Sequence, residues 1–191
     1  DNGGTTNKMF SGQMADVSKI TLPCDNGPYR DGKGSLFEGA TLVAACVNWP
    51  GHVKDGSTVS GLIHAVDMYP TFAALAGAST AKCKPLDGKN VWDVISKGAP
   101  SPRTDMIYNV EPFRGAVRQG DWKLVWKAFL PSSVDLFNLA SDPYEKNNVA
   151  AANPEVVARL LAFARAYDLP AELPFAGIAL PSSGAKGKKK G

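Results

Sequence analysis

The hydrophobic pattern of this chain changes period at Ala99-Pro100-Ser101-Pro102, and that change limits the folds open to it. A period of two belongs to a strand with one face on a core, and a period near 3.6 belongs to a helix. Beyond the Pro-rich linker the residues alternate. Met106-Ile107-Tyr108-Asn109-Val110 and Gly115-Ala116-Val117-Arg118 read as strands, and Gln119-Gly120-Asp121 turns the chain into Trp122-Lys123-Leu124-Val125-Trp126. There Trp122, Leu124 and Trp126 share the face expected to bury, while Lys123 and Lys127 point the other way. Val134 to Leu139 supplies a further strand. Asn153-Pro154-Glu155 opens a helix with an N-cap, a proline in the first turn and an acid that suits the helix dipole. Val156, Val157, Leu160, Leu161 and Ala164 form its apolar face, and Pro170 lies past its end.

Before the linker the pattern is of another kind. The continuous apolar run Ala40 to Trp49, stopped by Pro50-Gly51, predicts a strand buried on both faces, as in a parallel sheet, with Cys46 as a small core residue. Asp67 is placed to cap a helix with Pro70 in its first turn. Phe72, Leu75 and Ala76 would be its buried stripe, and Gly77 would end it. A shorter helix is expected around Val91 to Ile95, closing near Gly98. Residues 1–39 show little periodicity, a length of loop that is usually functional or disordered. The fold class expected is therefore α/β first, then a small antiparallel sheet with a terminal helix.

Composition excludes several classes. In these 191 residues no apolar run nears the ~18–20 that a membrane span needs. The opening Asp1-Asn2-Gly3-Gly4 has no initiator Met and no signal-peptide pattern, so a processed chain, or one beginning partway through a longer protein, is expected. The net charge of +3 is carried by Lys186, Lys188, Lys189 and Lys190, without which it is −1. This is a solvated basic tail, and no nucleic-acid binding is expected. Cys24, Cys46 and Cys83 share no zinc-ligand spacing, and Cys24 and Cys83 are left open as a pair.

Several residues could carry chemistry. Asp1 and Asn2 are adjacent oxygen donors before two glycines; they suit a hard cation such as Ca²⁺, or simply a turn. Lys33, hemmed by Gly32 and Gly34, could meet an oxyanion or stand as a solvated loop lysine. Glu38 is either a buried acid or a surface one. His52 and His64 lack a second ligand at helical spacing and are expected to be structural.

These stretches occur in an order that resembles the C-terminal portion of a type I sulfatase, of the arylsulfatase family and alkaline-phosphatase superfamily. The matching residues are Asp1-Asn2-Gly3-Gly4, Arg30 to Gly39, Asn48-Trp49-Pro50-Gly51, Asp67 to Phe72 with Leu75-Ala76-Gly77, Gly120 to Leu124, and Leu136 to Leu139 followed by Asp142 to Asn147. The resemblance implies a sulfatase/alkaline-phosphatase-like fold. It also implies that Asp1 and Asn2 ligate the active-site Ca²⁺ and that Lys33 holds the sulfate group. The nucleophile of such enzymes is a formylglycine made from a C/S-x-P-x-R motif, whose hydrated aldehyde attacks sulfur.

That motif is missing from the chain. Cys83-Lys84-Pro85-Leu86-Asp87 has Asp where Arg is needed and follows the metal pair instead of preceding it. No catalytic residue is therefore assigned, and the chain alone should show no turnover. It should also expose apolar surface near Val43 and Val47, for want of the neighbouring strands. The expected organisation is 1–100 as the C-terminal part of a large α/β catalytic domain, 101–170 as the antiparallel subdomain and 171–191 as a flexible basic tail. The expected partners are a sulfate-ester substrate and the N-terminal half of the same enzyme. The sequence leaves the compartment open; the resemblance implies a secreted, periplasmic or lysosomal destination. Two alternatives remain open from sequence: a phosphonate or phosphodiester hydrolase of the same superfamily, and a non-catalytic module that binds sulfated glycans.

Overall fold

The computed structural model describes residues 2–6, 24–110, 114–127 and 132–168. Asp1, Pro170 and the lysine-rich tail fall outside these residues. The elements in order are α1 (Glu38–Thr41), a 3₁₀ turn (Ala65–Asp67), α2 (Met68–Leu75), α3 (Trp92–Lys97), β1 (Asp105–Val110), β2 (Arg114–Gln119), β3 (Trp122–Lys127), β4 (Ser133–Asn138), a second 3₁₀ turn (Ala150–Ala152) and α4 (Pro154–Asp168). The class is mixed α/β.

The four strands form an antiparallel meander in the order β1-β2-β3-β4. Gly120, at φ 57, takes the left-handed conformation that the tight β2–β3 turn requires. Between Ile107 and Asn109 the β1–β2 register slips, so that Tyr108 is an extra residue in β1. Such a bulge re-aims a side chain, and Tyr108 turns toward Lys123, as described below.

Both faces of the sheet are covered. On one, Val117, Leu124 and Leu136 pack against Val156, Leu160 and Ala164 of α4, the helical stripe expected from sequence. On the other, Ala116, Val125 and Phe137 meet Phe37 and Leu139. Phe37 and Phe137 contact edge to face, 6.2 Å between centroids. Lys123 thus lies within a covered face and is buried, against the expectation that it points away from the core. The alternation of β3 is real, but residues 36–40 roof the second face.

The N-terminal part departs from expectation in three places. Residues 42–49 form no strand among the described residues, and all are exposed, Cys46 included; the exposure of Val43 and Val47 is the bare apolar surface expected for want of neighbouring strands. A strand needs a neighbour for its N–H and C=O groups, and the described residues supply none. Helix α2 forms and ends at Gly77 (φ 65), yet Phe72, Leu75 and Ala76 are exposed, because nothing described packs on that side. The carboxylate of Asp67 does not cap α2; it is turned instead toward Arg103. Helix α3 closes at Gly98 in the left-handed conformation, as expected. All three cysteines are free thiols, so Cys24 and Cys83 do not pair.

Candidate functional site

Three backbone segments meet at one place. The Gly3 N–H donates to the carbonyl of Ala40 at 3.0 Å, the Lys33 N–H to the carbonyl of Gly4 at 2.9 Å, and the Gly39 N–H to that of Arg30 at 2.9 Å. Asn26 staples the same junction. Its amide oxygen accepts from the Gly4 N–H at 2.8 Å, and its amide nitrogen donates to the carbonyls of Gly4 and Asp31, both at 2.9 Å. The glycines follow from this closeness. A Cβ on Gly3 would overlap the Gly39 carbonyl, one on Gly32 the Gly4 carbonyl, and one on Gly39 the carbonyls of Arg30 and Asp31. Only glycine permits such an approach of backbone to backbone.

Two of the sequence-predicted site residues, Asn2 and Lys33, lie on the segments that meet at this junction. Asn2 is exposed beside Gly3 and lines an open cavity of about 620 Å³ with Asp25, Tyr29 and Gly39. Lys33 is exposed on the loop whose N–H meets Gly4. Asp1 lies outside the described residues. Among the described residues no three His, Cys, Asp or Glu side chains gather as a metal site. The amide oxygen of Asn2 is a hard donor suited to Ca²⁺, but it is one ligand of the six to eight such an ion takes.

Beneath the junction lies an ionic cluster that the sequence does not announce. The Lys123 ammonium is 2.6 Å from Glu38 Oε1 and 3.0 Å from Glu145 Oε1. Glu145 Oε2 accepts the Glu38 N–H at 2.6 Å. All three residues are buried, and the Tyr108 ring stands 4.6 Å from the ammonium. Burial pushes the Glu145 carboxyl above its ordinary range, against the pull of Lys123. Burial, with the Glu38 charge, raises the Tyr108 phenol strongly, so it stays protonated. Glu38 is therefore the buried acid of the two alternatives. Lys123 was legible in one respect: Tyr108, Ala116, Val125 and Phe137 on its side are apolar, and a lysine among apolar neighbours has to be paired.

A second buried pair fixes the 3₁₀ turn before α2. Arg103 Nε donates to Asp67 Oδ2 at 2.9 Å and Arg103 Nη2 to Asp67 Oδ1. The N–H groups of His64 and Lys89 each donate to the same carboxylate at 2.8 Å. Burial raises the Asp67 carboxyl, but these donors outweigh it and hold the group below its ordinary range. Burial and the Arg103 charge lower His64, whose Nδ1 accepts the Val66 N–H at 3.2 Å. His52 stacks on Trp49 at 4.1 Å between centroids. Neither histidine stands at the Asn2–Lys33 junction.

Comparison with known proteins agrees with the resemblance. A family model described as N-sulphoglucosamine sulphohydrolase, C-terminal, matches residues 31–162. Arylsulfatase A of Homo sapiens is 31% identical over a 217-residue alignment that takes in 98% of this chain and 40% of that protein. Arylsulfatase J of Mus musculus is 26% identical over 183 residues, 71% of this chain and 31% of that one. Among solved structures, the crystal structure of Ps i-CgsB superposes with a TM-score of 0.64 at 28% identity, over 87% of this chain and 34% of that chain. The chain thus spans less than half the length of these relatives. Among the described residues no helix is long and apolar enough to cross a membrane.

Proposed function

Because this chain belongs to the sulfatase family and matches the C-terminal portion of its members, we propose that the whole protein hydrolyses sulfate esters. Lys33 is the residue that holds the sulfate group, and Asn2, with Asp1, ligates Ca²⁺. The observation that supports this reading is the bond between the Lys33 N–H and the Gly4 carbonyl. It roots the loop bearing the ammonium two residues from Asn2. The chemistry needs that arrangement, since charge on the sulfuryl oxygens must be met from more than one side.

The chain's own residues bind and orient. The Lys33 ammonium takes the peripheral sulfate oxygens as a point charge. The glycines at 3, 32 and 39 let the three segments close up, which holds the backbone of the Lys33 loop against Gly4. Bound Ca²⁺ would add fixed positive charge at the sulfuryl oxygens, with Asn2 giving one oxygen. The nucleophile, expected as a formylglycine, and the remaining Ca²⁺ ligands belong to the portion matched by the rest of the relatives' length. That N-terminal portion is the partner of this chain. Residues 1–100 complete its catalytic domain, 101–170 form the antiparallel subdomain, and 171–191 are the basic tail.

The test is Lys33→Ala in the whole protein, assayed on an aryl sulfate and on matched phosphate mono- and diesters. Loss of one charge-stabilising donor is expected to lower kcat/KM for the sulfate ester by about 10²–10³. An unchanged rate in the variant, or wild-type preference for the phosphodiester, would overturn the reading.

A further inference from the structure

We infer that Lys123 is a positioning residue for the sulfate-holding loop: through Glu38 and Glu145 it locks the Gly3–Gly39 junction, and with it Lys33, onto the antiparallel sheet. The inference rests on the assignment of Lys33 as the sulfate-holding residue.

The three charges come from three separate parts of the chain: Glu38 from α1, Lys123 from the middle of β3, and Glu145 from the turn after β4. Their bonds continue unbroken to the site. Lys123 holds Glu38; the next residue, Gly39, donates to Arg30; Ala40 accepts from Gly3; and Gly4 accepts from Lys33. The other end of the Lys33 loop is tied to the same sheet. Arg114, at the start of β2, donates to the Gly34 carbonyl at 2.8 Å. Arg30 donates to the Glu145 carbonyl at 3.2 Å while its guanidinium lies 3.9 Å above the Phe37 ring.

Stability does not account for such a cluster. Two buried carboxylates about one ammonium leave a negative excess, and apolar residues of similar shape often do as well or better. Glu145 also holds a backbone φ of 55, unusual for a residue with a side chain. Strain kept at a buried charge points to a geometric duty. An apolar roof on this face of the sheet would tolerate sliding. An ammonium that must meet two carboxylate oxygens fixes the position of α1, and so of the loop bonded to it.

The experiment uses the whole protein with Lys123→Met and Glu38→Gln, each compared with wild type by hydrogen exchange and by kinetics on an aryl sulfate. Met fills the lysine's volume without its charge. Gln keeps the shape of Glu38 but not its charge and leaves the Lys123 ammonium 3.0 Å from Glu145 Oε1, so this milder variant is expected to fold even where Lys123→Met does not. Both are expected to speed exchange of the Lys33 and Gly39 N–H groups at least fivefold, with exchange in α4 near Leu160 unchanged. KM should rise at least fivefold, with a smaller change in kcat. Exchange at Lys33 and Gly39 equal to wild type in Glu38→Gln, or faster exchange spread evenly over α4 as well, would overturn the inference. The exchange readout needs no turnover, so it decides the clamp even if the protein proves inactive on sulfate esters.

Discussion

Asp67 and Arg103 show how much one buried pair can govern. Removing one partner of a buried, hydrogen-bonded ion pair costs about 3–5 kcal/mol, because the other charge is left without a counterion. Asp67→Asn is therefore expected to lower the stability of the chain by about that amount in denaturant unfolding. The pH dependence follows from the direction of two shifts. His64 and Asp67 are both held below their ordinary values of 6.5 and 3.8. For a group depressed in the fold, the stabilisation is complete above the ordinary value and is lost as pH falls through the lowered one. Stability should thus decline on acidification in two steps, the first below pH 6.5 from His64 and the second below pH 3.8 from Asp67. In Asp67→Asn the second step should shrink, as read from Tm between pH 7 and pH 3. Asp67 was visible in the sequence as an acid at a helix start, but its partner was not. Arg103 lies beyond α3 and the Pro-rich linker, and only the packed chain brings it to this carboxylate.

The elements divide by where their partners are. The four strands, α3 and α4 were readable from periodicity and punctuation, because each finds its partner within the described residues: strand on strand, α4 on the sheet. Leu160 is fully buried between α4 and the sheet, so Leu160→Ala should cost about 2–5 kcal/mol by the transfer and cavity terms together. The same urea titration that measures this should leave the exposed Ala74 of α2 within about 0.5 kcal/mol of wild type when changed to Ser. The strand expected over residues 42–49 and the buried stripe expected of α2 do not form for one reason, and of their exposure only that near Val43 and Val47 was expected. Their patterns are those of buried elements, but burial needs a second surface. The glycine junction was legible in another way: Gly3, Gly32 and Gly39 stood out in the motifs, and the backbone contacts supply their reason. The pairing of Lys123 with Glu145 was not read from the sequence: the apolar neighbours of Lys123 hint that it is paired, but the parity of β3 says which residues share a face and not whether that face is roofed.

At the scale of the whole molecule, one apolar side stands bare among the described residues. Phe72 is 62% exposed and Val47 51%. With Trp49, Leu75, Trp92 and Ile95 they line a groove of about 370 Å³. A contiguous apolar surface of this kind marks an interface or an aggregation liability. If the N-terminal portion proposed as the partner of this chain covers the groove, the bare face is the interface left by a chain that spans 31% to 40% of the length of its relatives. The 191-residue chain by itself should then bind a hydrophobic dye such as ANS and self-associate at micromolar concentration, whereas the whole protein should do neither. Phe72 distinguishes an interface from a merely sticky surface. Truncating it to Ala should leave the isolated chain within about 0.5 kcal/mol of wild type, as for an exposed site. In the whole protein the same change should cost about 3–5 kcal/mol, as for a buried phenylalanine. Equal and small effects in both settings, with a monomeric chain that unfolds cooperatively and binds no dye, would mean that this face meets water in the native protein.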